Sequence, residues 1–182
     1  MTTLISRPKM IALDLCKALV HECGHKVIAK WAGVEQFFIE NWLYDDADPE
    51  KESLVGGRSH YYPPLNGRNN QLLGIAGYVA EMLASDDMAD IDDEDLIDYW
   101  DSDAKALSAT DLEAAGEVDG ALFDDCGKLL RKYWPDLIAA AVHHLNQFQE
   151  LHAHDDDAVE AASSVRAELE GMRDRFQMAA VA

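Results

Sequence analysis

Residues 18–33 read ALVHECGHKVIAKWAG. His21 and His25 stand four apart, and Leu15, Leu19, Val20, Val27, Ile28 and Trp31 recur around them at helical spacing. Pro8 suits the first position of a helix, with Ser6 or Arg7 just outside it, and Gly33 suits its end. The pattern predicts a helix over residues 8–32. Residues four apart on a helix share a face, one turn above the other, so both imidazoles can reach a common metal. Glu22 projects beside them. It cannot easily ligate together with both neighbours, but it can reach a water on the metal. The plainer reading is a pair of solvent-facing histidines with an ordinary glutamate between them.

Downstream, QFFIENWLY (residues 36–44) is aromatic and β-prone, and LVGGRSHYY (residues 54–62) reads as a second strand. The polar run DDADPEKE turns the chain between them. Gly56 and Gly57 predict a bulge or a close backbone approach. Pro63-Pro64 ends the strand, and LNGRNN reads as a loop. NQLLGIAGYVAEMLAS, residues 70–85, is a second helix. Gly74 and Gly77 cost it helix propensity, so close packing against another helix is expected there.

Residues 86–103 carry ten acids in eighteen positions. They read as a solvated loop with a short amphipathic turn at residues 96–100, or as a mobile flap or an accessory cation site. Ser108-Ala109-Thr110-Asp111 has the layout of a capping box. Helices are expected over 120–134 and 136–152, divided at Pro135, and over 156–178. The fold class is mainly α (α+β), with a small β-hairpin and C-terminal helices.

Composition narrows the function. The 182 residues hold 35 acids against 15 bases, a formal net charge of −20. Such a surface repels phosphate backbones, so no nucleic-acid partner is expected. No run approaches the ~18 apolar residues of a membrane span, and the N-terminus lacks a signal-peptide layout. A cytoplasmic protein with no membrane partner follows. Cys16, Cys23 and Cys126 form no C-x-x-C pair and no even framework, which suits reduced thiols.

A hydrolytic zinc site takes a third protein ligand besides His21 and His25. The residues alone leave Asp111, Glu81, His60, Asp98, Asp101 and Asp103 open. Zinc would lower the pKa of its water, and Glu22 would accept a proton from that water and return it to the leaving amine.

Three blocks resemble the peptidase domain of the FtsH family of membrane-anchored, ATP-dependent zinc proteases. VHECGHKVIAKWAG is similar to that family's His-Glu-Ala-Gly-His helix, with Cys23 in place of alanine. LLGIAGYVAEML is similar to its Ala-Gly-x-x-Ala-Glu helix, and LSATDLEAAG to its Asp-Leu-x-x-Ala segment. The resemblance implies a helical, zincin-like peptidase domain over residues 1–152. Residues 153–182 would then form a C-terminal helix packing on that domain or on a partner subunit. It implies Zn2+ held by His21, His25 and Asp111, with Glu22 as catalytic general base. The sequence holds no G-x-x-x-x-G-K-[ST] loop. A stand-alone, ATP-independent metalloendopeptidase is expected, cutting peptide or unfolded protein substrates. FtsH-like peptidase domains form rings, so the resemblance also implies a homo-oligomer. The alternative is a zinc-containing regulatory or peptide-binding protein with little or no turnover.

An extended peptide could add to an edge of the residue 36–62 hairpin. His143, His144, His152 and His154 lie on the C-terminal helices and read as ordinary helix-surface histidines.

Overall fold

The computed structural model describes residues 5–44, 53–85 and 108–179, with Asp98 and Trp100 besides. Six helices and one two-stranded antiparallel sheet make up the described residues, so the fold is mainly α (α+β).

Helix α1, Arg7–Trp31, is the spine of the molecule. Ile11, Leu15, Leu19, Cys23 and Ile28 along it are wholly excluded from solvent. Pro8 lies in its first turn, where a missing N–H costs nothing. Its end is a Schellman turn: Gly33 N–H donates to Lys30 O and Val34 N–H to Ala29 O, with Gly33 at φ 88°.

Strands β1, Gln36–Leu43, and β2, Val55–Tyr62, form a hairpin that lies against α1. Pairing runs without interruption from Gln36↔Tyr62 to Leu43↔Val55. The Gly56-Gly57 pair is therefore a close approach and not a bulge. A methyl at Gly56 would stand 2.5 Å from the Trp42 ring.

Helix α2, Gly67–Ala84, begins three residues before the expected Asn70. Four of the six LNGRNN residues are thus helical, and their anchors explain why. Asn70 Nδ2 donates to Ala114 O, Gln71 Nε2 to Ala115 O and Glu117 O, and Arg68 pairs with Asp125. Those partners lie more than forty positions away, beyond any local pattern.

Helix α3, Ala109–Ala115, has Ser108 as its N-cap, whose hydroxyl accepts from Asp111 N–H at 3.1 Å. Helix α4, Gly120–Lys132, is capped by Asp119. Helix α5, Trp134–Leu151, carries Pro135 inside its first turn, so the break falls at Tyr133. Pro135 opens that helix instead of dividing two. Helix α6, Asp156–Ala179, packs along α1 and α5. Arg7 pairs with Asp155 and Asp157, tying the start of α1 to the start of α6.

Of the acidic run 86–103, only Asp98 and Trp100 are described, and Trp100 is buried against Tyr78 and Phe123. The remainder of that run and the turn 45–52 lie outside the described residues. Among the described residues no helix is long and apolar enough to cross a membrane.

Candidate metal centre

His21, Glu22 and His25 lie at the middle of α1, on the side that faces α2, β2 and α3. Two glycines admit the histidines there. A methyl at Gly77 of α2 would stand 2.5 Å from the His21 ring. One at Gly24 would stand 2.6 Å from Ala76 O of α2. Gly74 meets Ala115 of α3 in the same way, at 2.3 Å. The glycines expected to mark helix packing in α2 thus bring three helices together around the histidines.

The ring orientations decide what the centre can hold. His25 Nδ1 lies 2.7 Å from Leu73 O, a carbonyl, so that nitrogen carries the hydrogen and donates it. His21 Nδ1 lies 2.6 Å from Glu81 Oε1, again an acceptor. Both Nε2 atoms then turn inward, 3.0 Å apart. Asp111 completes the group, with Oδ2 3.3 Å from His21 Nε2 and Oδ1 3.5 Å from His25 Nε2. The three ligand atoms lie within 4.8 Å of one another. Two nitrogens each bound to one tetrahedral zinc stand ~3.3 Å apart, given Zn–N of ~2.0–2.1 Å. The spacing and the donor set fit such an ion, and outward Nδ1–H bonds are the usual support for imidazole ligands.

Electrostatics point the same way. Burial opposes a charged His21, yet hydrogen bonds to Asp111 and Glu81 outweigh it and hold its pKa well above the ordinary imidazole value. Burial and the neighbouring His21 push His25 down. Burial works to raise Asp111, but His21 and His25 draw it below the usual carboxylate range. Glu22, Glu81 and Asp111 crowd one partly buried space, and it favours a cation. Without a metal, the extra proton on His21 is that cation.

Glu22 is 7% exposed, and burial pushes its carboxyl above the usual range, against a hydrogen bond from Ser59. Ser59 Oγ donates to Glu22 Oε2. An open cleft borders the cluster, lined by Val55, Gly57, Ser59 and Tyr61 of β2 on one side and Thr110 and Glu113 of α3 on the other.

The other third-ligand candidates lie elsewhere or are not described. Glu81 sits on the outer nitrogen of His21 and also pairs with Lys17 Nζ at 3.3 Å. His60 lies on the exposed side of β2, 3.6 Å from Glu40. Asp98 is not part of the cluster. Asp101 and Asp103 lie outside the described residues. Cys23 points into the core, where burial pushes its thiol up to about 12, so it stays a protonated packing group. His144 meets Lys26 Nζ at 3.0 Å and Gln147 Oε1 at 2.8 Å. Among the described residues, no second His, Cys or acid cluster suits a metal.

Sequence reasoning passed over Ser59 and the Leu73 carbonyl. The alternation of β2 could have flagged Ser59, since it shares one face with Gly57, where a close approach was expected, and with Tyr61. No protein-family model matches the sequence, and comparison with curated proteins returns no match.

Proposed function

We propose that this protein is a zinc-dependent, ATP-independent metalloendopeptidase of the FtsH-like type, acting in the cytoplasm on flexible or unfolded polypeptides. One observation carries the reading. Two imidazole Nε2 atoms with fixed tautomers converge on one carboxylate, and a glutamate with a raised pKa stands beside them on the same helix.

In this reading His21, His25 and Asp111 hold the ion. Zinc bound there supplies Lewis acidity toward a water and toward a substrate carbonyl. The chain's own residues do the rest. Glu22 takes a proton and returns it to the leaving amine, and burial, which raises its carboxyl above the usual range, helps it hold that proton in between. Glu81 and the Leu73 carbonyl hold the two rings in orientation. Among the described residues the edge of β2 away from β1 has no strand partner, and β2 borders the cleft. An extended peptide would add there through main-chain hydrogen bonds, which read backbone and not sequence. That suits an unfolded substrate. The FtsH-like reading also carries self-association into a homo-oligomer.

The test is metal content and cleavage together. Protein purified without added zinc should hold about one zinc per chain and cut denatured casein. Glu22→Gln should retain the zinc and stop the cutting. A chain that neither contains nor takes up a transition metal overturns the proposal.

A further inference from the structure

We infer that Ser59 is the positioning residue for Glu22, its hydroxyl holding the carboxylate in one orientation beside the histidine-aspartate cluster; this rests on the peptidase reading above. Along β2 the exposure alternates: Arg58, His60 and Tyr62 are exposed, while Gly57, Ser59 and Tyr61 are half-buried and line the cleft. The Ser59 hydroxyl meets Glu22 Oε2, and among the described residues it is the one side chain hydrogen-bonded to that carboxylate. The other oxygen is confined from a second direction. A methyl at Gly57 would stand 3.0 Å from Glu22 Oε1 and 3.1 Å from its Cγ, so only a bare backbone leaves room for the side chain.

The terminal torsion of a glutamate has a broad, two-fold well, so a carboxylate without partners swings freely. Glu22 is nearly closed off from solvent, and water does little to orient it. Ser59 then supplies the hydrogen bond that orients it, within the space the Gly57 backbone leaves. Proton transfer depends steeply on such alignment. Ser59 is not one of the three candidate ligands, and its hydrogen bond goes to Glu22, so it acts through Glu22.

Three variants, each loaded with zinc as the full chain, test this. With denatured casein, Ser59→Ala should lower kcat roughly 10- to 100-fold with KM and zinc content unchanged. Ser59→Thr keeps the hydroxyl and should retain most of the rate, which a mere packing role would not produce. Infrared difference spectra of wild type minus Glu22→Gln isolate the Glu22 carboxylate stretch. That band should shift in Ser59→Ala and hold its place in Ser59→Thr. A Ser59→Ala protein with wild-type kcat, or with the carboxylate band unmoved, overturns the assignment. A wild type that binds zinc yet never cuts sinks the peptidase reading instead, and the infrared arm still decides whether Ser59 holds Glu22.

Discussion

Glu81 Oε1 lies 2.6 Å from His21 Nδ1, on the opposite side of the imidazole from Asp111. This carboxylate-imidazole pair fixes the tautomer of His21 and makes its inner nitrogen more basic. Glu81→Gln should weaken zinc binding roughly 10- to 100-fold while leaving the fold intact. Competition against a chelator of known affinity measures it. Unchanged affinity would show that the ring needs no such support.

Gly77→Ala tests the packing behind the same ring. The added methyl would stand 2.5 Å from His21, so the imidazole must swing away from Asp111 or α2 must retreat. Overpacking of this kind costs about 1–3 kcal/mol. The larger effect expected is on metal affinity, lost by roughly ten-fold or more. Titration with zinc beside a thermal melt separates the two. Equal affinity in variant and wild type would contradict the geometry.

Gly33→Ala should behave in the reverse way. Gly33 sits at φ 88° with open space around it, so the cost is backbone strain alone. A loss of about 1–2 kcal/mol is expected in denaturant unfolding, with zinc affinity unaltered. Gly33→Asn should lose less, because asparagine tolerates the left-handed region.

His144 gives a pH signature. Burial first, then the Lys26 charge, push its pKa down to about 4. The neutral ring accepts from Lys26 at Nε2 and donates from Nδ1 to Gln147. An unfolded histidine titrates near ~6.5. The folded value is depressed, so its stabilising contribution is fully present above pH ~6.5 and drains away as pH falls towards 4. In the presence of chelator, wild type should therefore lose more stability than His144→Gln between pH 7 and pH 4.5. Parallel pH profiles for the two would refute it.

Local periodicity made much of this molecule readable. The helix through His21 and His25, both strands and the cap at Ser108 each rest on a pattern a few residues long. What stayed hidden depends on distant partners. The early start of α2 answers to Ala114, Ala115 and Asp125, and the role of Gly77 answers to His21. Asp111 could not be singled out by spacing, since ninety positions separate it from His21. Only the resemblance pointed to it, and the structure brings it to the two imidazoles. Pro135 was misjudged because one residue type both ends helices and starts them; the choice between the two turned on Tyr133 leaving the helix.

Helix α3 has only seven residues, too few to persist as an isolated segment in water. Its Asp111 is also the one member of the His21-His25-Asp111 group that α1 does not supply. A shared ion would staple this short segment to the molecular spine across a loop of ninety positions. Stripping the ion should then register first as fraying of residues 109–115, seen as faster amide exchange there, while the amides of α1 stay protected.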